Sequence, residues 1–329
     1  MENICAKVYA KINIALDILG SYPDGYHKLD MLMTSVDIAD VICVSKASAS
    51  RVIMDGKMCG KENTASKAVA LLQEEFGIEL RVEIVKGIPM SAGLGGSSAD
   101  ASGVFACAQM LFDLPKDVVT KLANKVGSDV AYMMSGGACR VGGRGEIVQR
   151  VDLPNFALVI AQKEVGASTR DVYQRYDKNL FEKLKEENDI VAKEKIKSKC
   201  ENIFVENGKS ELNDESDILA NSECASVENC VASQSRKIDS ALASVSKNCK
   251  GAFNVLQESA IELCPSIEDT LRDMQKYAKT AFMTGSGSAI VGVFDNMTAA
   301  ESCAKKLKGY AFVKAVTTLD KGLAIIEKS

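Results

Sequence analysis

Ile88-Pro89-Met90-Ser91-Ala92-Gly93-Leu94-Gly95-Gly96-Ser97-Ser98-Ala99-Asp100 is the stretch that decides how this chain is read. Glycine at three of the four positions 93–96 lets the backbone turn tightly and come close to a ligand. The run that follows, Ala99 to Leu111, reads as a buried helix of small residues, so the free amides at its start point into the loop. Those amides and the positive end of the helix dipole both favour an anion, and a polyphosphate fits such a site. Just upstream, Leu80-Arg81-Val82-Glu83-Ile84-Val85-Lys86 alternates apolar and charged residues as a strand does, which puts the loop at a strand-to-helix junction. A plain structural turn capped by Ser97 or Ser98 is the competing reading.

Working outward, Val8, Ala10, Ile12, Ile14 and Leu16 alternate with less apolar positions and predict a strand carrying Lys11 and Asn13 near its middle. Asp24-Gly25 marks a turn, and Leu29 to Val44 reads as further strand. Asn63 or Thr64 caps a helix that ends near Gly77, and Pro115 opens another that runs to about Val126. Strand-like runs follow at Gly137–Val141, Glu146–Val151 and Ala157–Ala161. From about 178 to 237 the composition turns to Lys, Glu, Asn, Asp and Ser without an apolar period, which reads as a solvated insertion, helical at its start. A helical stretch from Ile238 to about Leu263 is broken near Asn248–Gly251. The remainder alternates helix, strand, turn, strand, helix, strand, as a two-layer α+β domain of the split βαβ kind does.

At 329 residues the chain is long enough for two domains. No apolar run is long enough to span a membrane, the N-terminus lacks a signal-peptide pattern, and the cytoplasm is the expected compartment. The eleven cysteines are odd in number and form no CxxC pair, so neither a disulfide framework nor a zinc site is expected. His27 is the only histidine, which excludes histidine-rich metal centres; the metal ligands, like the oligomeric state, are not legible. A net charge of −4 with interspersed basic residues gives no reason to expect nucleic acid or a membrane surface as partner.

Four further segments carry chemistry when taken with the loop. Lys11 lies in mid-strand, where a lysine ordinarily faces solvent. Tyr26-His27 at a turn presents two flat rings suited to stacking on a nucleobase. Asp129, in Gly127-Ser128-Asp129-Val130, is either a helix cap or a general base for a hydroxyl proton. Thr284-Gly285-Ser286-Gly287-Ser288-Ala289 is an ordinary hairpin turn or a second nest of backbone donors over the transferring phosphoryl group.

Together the loop beginning at Pro89, the strand Ala10-Lys11-Ile12-Asn13, the turn Asp24-Gly25-Tyr26-His27, Gly127-Ser128-Asp129-Val130 and the late Thr284–Ala289 turn resemble the GHMP kinase superfamily, over about residues 6–176 and again from 241 to the end. The resemblance implies a two-domain α+β fold. An N-terminal ribosomal-protein-S5-like α/β domain that binds ATP would span 1–156, and a C-terminal ferredoxin-like split βαβ domain on the substrate side would span 157–329, with the polar insertion at about 178–237. It also implies ATP and Mg2+, and transfer of a phosphoryl group to the hydroxyl of a small cytidylyl sugar alcohol. Asp129 is then the base and Lys11 its catalytic partner. Pro89, Met90, Ser91, Ala92, Gly93, Leu94, Gly95, Gly96, Ser97, Ser98 and Ala99, with Lys86 and Asn63, surround the nucleotide. Asn13, Tyr26, His27, Thr169, Tyr173, Gly285, Ser286 and Gly287 bind the substrate, Tyr173 covering the second face of the base. Relatives commonly read Gly-Gly-Gly-Ser-Ser-Asp-Ala-Ala after the Gly-Leu pair, so one serine is displaced here, and which hydroxyl meets phosphate stays open. Two competitors remain: a homoserine- or mevalonate-type kinase, which has no use for a base clamp, and a non-catalytic nucleotide-binding protein, which has no use for a Lys11–Asp129 pair.

Overall fold

A computed structural model describes residues 2–164, 166–185, 236–248 and 251–328. Most of the polar insertion therefore lies outside the described residues. Two long antiparallel strands, β1 (Asn3–Ser21) and β2 (His27–Lys46), form the spine. They are joined by the turn at Asp24-Gly25, where Gly25 takes a φ of 83° that a side chain would resist. On β2 stack β5 (Leu80–Val85), then β3 (Arg51–Met54) and β4 (Lys57–Met58), with β6 (Cys139–Gly143) and β7 (Ile147–Arg150) on a side branch.

The helix after the glycine loop, α2 (Gly96–Phe112), is buried at every residue from Ala99 to Ala108. A helix enclosed on all sides is a core element, and small side chains are what let it lie close to a sheet. Gly103 shows how close: a Cβ there would stand 2.8 Å from Ile42 and 2.9 Å from Val8. Around it pack α1 (Thr64–Phe76), capped by Asn63 and ended by Gly77 in the left-handed conformation, α3 (Lys116–Val126) and α4 (Val130–Ser135). The expected strand and helix signals of the first half are all occupied.

The second half holds a helix over 169–185 (α5), α6 (Arg236–Asn248), a two-residue bridge β9 (Phe253–Asn254), α7 (Gln257–Leu263), α8 (Ser266–Gln275), β10 (Thr280–Met283), β11 (Ile290–Phe294), α9 (Met297–Lys306) and β12 (Phe312–Leu319). Here β8 (Ala157–Gln162) sits between β11 and β12, all antiparallel, which realises the expected helix and strand alternation. Several features were not expected, β3, β4 and α4 among them. A last strand, β13 (Leu323–Lys328), pairs with β1 from Ile4 to Val8; its run Leu323-Ala324-Ile325-Ile326 has no period-two alternation to announce it. And Cys5 and Cys43 form a disulfide, against the expectation of none, because they stand directly opposite each other in the β1–β2 register. Spacing along the chain cannot reveal a cross-strand pair 38 residues apart. No described helix is long and apolar enough to cross a membrane.

Candidate active site

Between the two halves lies a cleft of about 1150 Å3, lined by residues 88–98 without a gap and by Lys11, Asn13, Tyr26, His27, Asp129, Thr169 and Tyr173. Single-ligand pockets run to roughly 300–1,000 Å3, so this one has room for two substrates side by side.

The loop owes its chemistry to what does not cap it. Gly95 is the N-cap of α2, with φ 75° and no side chain, and neither Ser97 nor Ser98 takes that role. The first amides of α2 are left for an anion. The loop is held from two sides. Leu94 accepts the Lys11 backbone N–H at 3.1 Å, tying it to β1. The Thr284–Ala289 turn grips the other side: Ser288 N–H donates to Ser91 O and Ala289 N–H to Ala92 O, at 3.2 and 3.1 Å. The two turns meet backbone to backbone, since a Cβ on Gly93 would lie 2.2 Å from Thr284 O and one on Gly285 would lie 2.6 Å from Gly93 O. Thr284 also accepts the Asn13 N–H through Oγ1 at 2.8 Å, and Asn254 donates to Met283 O and Gly285 O. The late glycine turn is thus a buttress for the phosphate loop. Gly285 and Ser286 reach the cleft, whereas the structure does not bring Gly287 to its wall, and the Gly287 amide donates to Thr284 O at 3.0 Å.

Lys11 does not face solvent. It is 6% exposed, its ammonium donates to Asn13 Oδ1 at 2.6 Å and stands 3.4 Å from Asp129 Oδ2. The Asn13 amide is itself pinned by a contact from Nδ2 to Met31 Sδ at 3.2 Å. Asp129 sits at the N-cap position of α4, yet its carboxylate makes no capping bond and turns into the cleft instead. A lysine, an aspartate and a nest of amides from three distant parts of the chain face one space.

At the other end, Ser168 caps the start of α5: Asp171 N–H donates to Ser168 Oγ at 3.2 Å, and that hydroxyl donates to Asp171 Oδ2 at 2.7 Å. That start sets the helix phase, so Thr169, Tyr173 and Asp177, four residues apart, share the face toward the cleft. Thr169 reaches Ser286, hydroxyl to hydroxyl, at 2.9 Å. Tyr173 packs its ring 4.8 Å from that of His27, and burial pushes its phenol up from the usual tyrosine range. His27 bonds through Nε2 to Asp177 at 2.7 Å. Tyr26 is 61% exposed; Arg144 stacks its guanidinium on Tyr26 and Tyr22 and pairs with Asp24 at 2.6 Å.

Three expected nucleotide contacts take other duties. Ala99 is fully buried and its amide is used by Gly95 O, so it belongs to the helix and not to the cleft wall. Asn63 lines the cleft but its side chain caps α1 through Ala65 N–H and Ser66 N–H. Lys86 also reaches the wall, while its ammonium is committed to Asp40, to Asp100 at 2.9 Å and to Gly96 O at 3.3 Å. Asp40 in turn accepts the amides of Gly87 and Ile88. The cluster therefore clips the start of the loop to its end. Burial alone lowers the Lys86 pKa, but the charges of Asp100 and Asp40 overcome it and leave the ammonium more firmly protonated. Burial pushes the Asp100 carboxyl up to about 7 against the pull of Lys86 and with help from Asp40.

Sequence reasoning missed Arg144, Arg170, Gln174 and Asp177, all of which line the cleft. The α5 residues had a signal, the S-x-x-D pattern at Ser168 followed by a four-residue period; Arg144 had none. Among the described residues no group of three or more His, Cys, Asp or Glu side chains could hold a metal ion.

Comparison with known proteins places this geometry. Residues 63–138 match the model of the GHMP kinases N terminal domain and residues 218–312 that of the GHMP kinases C terminal. A 4-diphosphocytidyl-2-C-methyl-D-erythritol kinase of Clostridium perfringens is 32% identical over 317 residues, covering 92% of this chain and 93% of its own. The enzyme of the same name from a Thermoanaerobacter species is 29% identical, covering 99% and 100%. A crystal structure of 4-(cytidine 5'-diphospho)-2C-methyl-D-erythritol kinase shares the fold with a TM-score of 0.68 at 23% identity, over 95% of this chain and 98% of that one. A homoserine kinase from Cytophaga hutchinsonii shares it at 0.65 with 15% identity, over 99% and 98%.

Proposed function

This chain belongs to the GHMP kinases, in the 4-diphosphocytidyl-2-C-methyl-D-erythritol kinase family, and we propose that it transfers the γ-phosphoryl group of ATP to the 2-hydroxyl of that cytidylyl sugar alcohol. The observation that carries the reading is the convergence of Lys11, Asp129 and the uncapped amides of α2 on one cleft, with the Lys11 ammonium 3.4 Å from the Asp129 carboxylate.

In this reading residues 89–98 cradle the ATP phosphates, and the substrate lies along Asn13, Thr169, Gly285 and Ser286 toward Tyr26, His27 and Tyr173. The boundary between the two domains falls near residue 156, and both contribute residues to the substrate end of the cleft. Asp129 accepts the proton of the attacking hydroxyl as the new O–P bond forms and the bond from the γ-phosphorus to the bridging oxygen of ADP breaks. Lys11, held by Asn13, lies beside the oxygen that loses its proton and offsets the charge developing there. Little covalent work is left for the protein, so positioning and charge account for the rate. A divalent cation such as Mg2+ neutralises phosphate charge when bound. The donor set fits it only as a companion of the phosphates: the hydroxyls of Ser97 and Ser98 at the start of α2 would hold it beside them, and no ready-made protein cage exists among the described residues. The aromatic wall of Tyr26, His27 and Tyr173 favours the cytidylyl substrate over homoserine or mevalonate, which bring no base to it.

The test is direct. Purified protein with ATP, Mg2+ and 4-diphosphocytidyl-2-C-methyl-D-erythritol should release ADP and yield the 2-phosphate, with no turnover of homoserine or mevalonate. Asp129→Asn should lower kcat by about 10²–10⁴-fold while ATP binding by calorimetry is unchanged. Comparable rates on homoserine or mevalonate reject the substrate, and an active Asn variant rejects the base.

A further inference from the structure

Nothing so far assigns a role to Asp177, whose Oδ1 lies 2.7 Å from His27 Nε2. In a neutral imidazole one ring nitrogen carries the proton and the other a lone pair, and the partner of one decides the state of both. An ionised carboxylate only accepts. It therefore holds the His27 proton on Nε2 and leaves Nδ1 bare. The ring has little freedom to escape this, being 12% exposed at its side chain and packed at a tilt against Tyr173, centroids 4.8 Å apart. Because Nε2 is taken, Nδ1 is the ring nitrogen left to a ligand in the cleft that His27 lines.

We propose that Asp177 is a positioning residue which, by fixing the His27 tautomer, makes the site read a ring amine and so prefer cytidylyl over uridylyl substrates. The inference rests on the substrate assignment above and deepens it. A bare Nδ1 pairs with the exocyclic amine at position 4 of cytosine. Uracil carries a carbonyl there, so two acceptors would face each other and the hydrogen bond would be lost. Asp177 reaches His27 across 150 residues of sequence because the Ser168 N-cap fixes where α5 starts and puts Thr169, Tyr173 and Asp177 on one face.

The chain offers an unusually clean readout, since His27 is its single histidine. One set of imidazole signals in a long-range nitrogen–proton correlation spectrum of 15N-labelled full-length protein reports the tautomer without assignment. Wild type should show the proton on Nε2. Asp177→Leu should show a mixture or the opposite tautomer, and its ratio of kcat/KM for the cytidylyl substrate over the uridylyl analogue should fall by about ten- to hundredfold, through KM rather than kcat. Asp177→Asn keeps a carbonyl acceptor for Nε2–H and should retain both the tautomer and the preference. A contact that merely docks α5 on the hairpin would shift the tautomer when removed but leave the base preference where it is in wild type. The proposal is overturned if wild type carries its proton on Nδ1, or if Asp177→Leu, folded by circular dichroism, discriminates as wild type does. Should Asp177→Leu fail to fold, the wild-type and Asn spectra decide alone: the proton on Nε2 in both supports the proposal, and any other pattern refutes it. Failure of wild type to turn over the cytidylyl substrate would instead strike the substrate assignment, which the spectrum does not depend on.

Discussion

Replacing Lys86 by methionine separates a loop clamp from a nucleotide ligand. The substitution keeps the aliphatic stem and removes the ammonium, stranding Asp40, which is fully buried, and Asp100, whose side chain is 2% exposed. Removing one partner of a buried ion pair costs about 3–5 kcal/mol. Two features pull the value toward the lower end. Asp40 keeps the amides of Gly87 and Ile88, and Asp100, already pushed up to about 7, can take a proton. We therefore expect a loss of about 3 kcal/mol in urea unfolding at pH 7, equivalent to a fall in Tm of roughly 5–10 °C for a chain of this size. In an Asp100→Asn background the same substitution should cost less, because one of the two stranded charges is gone. The pH dependence follows from Asp100: its folded value lies above the unfolded value of 3.8, so its contribution to stability is whole below that pH and is lost as the pH rises through about 7. Wild type should lose stability across that window relative to Asp100→Asn. If Lys86→Met unfolds within about 1 kcal/mol of wild type yet raises KM for ATP tenfold or more, Lys86 is a phosphate ligand and the clamp is wrong.

Gly93→Ala drives a methyl into Thr284 O, and we expect about 1–3 kcal/mol of destabilisation together with weaker ATP binding, measured by thermal melting and calorimetry. A Gly93→Ala protein with wild-type affinity for ATP would show that the buttress turn does not shape the loop. Tyr173→Ala should raise KM for the cytidylyl substrate by about five- to 150-fold with KM for ATP unchanged, since it removes one stacking surface; equal effects on both would point to collapse of α5.

The glycine loop, the lysine on β1 and the aspartate after Gly127 were legible because each depends on local chemistry: donors need glycines and a helix start, and a mid-strand lysine or an aspartate after a turn is visible in a few residues. What those residues touch was not. Lys86 reads as a cation near phosphate, and its neutralisation by Asp40 depends on a pairing between β2 and β5 that no local pattern encodes. Ala99 and Gly287 were placed among the ligand contacts because they lie in glycine-serine runs, yet a buried helix turn and an internal turn bond withdraw their amides. Cys5 and Cys43 were read by spacing, whereas the antiparallel register of β1 and β2 sets their meeting. Local composition announces a function; long-range register decides which atoms remain available for it.

The pairing of Leu323–Lys328 with Ile4–Val8 has a consequence for biogenesis. The strand that carries Lys11 is made some three hundred residues before the segment that zips one flank of it shut. During synthesis that flank presents unpaired amides and carbonyls beside apolar Ile4, Ala6 and Val8, the kind of edge on which nascent chains cross-associate. Maturation of the lysine-bearing strand and protection from clumping thus arrive together, with the closing of a single β ladder.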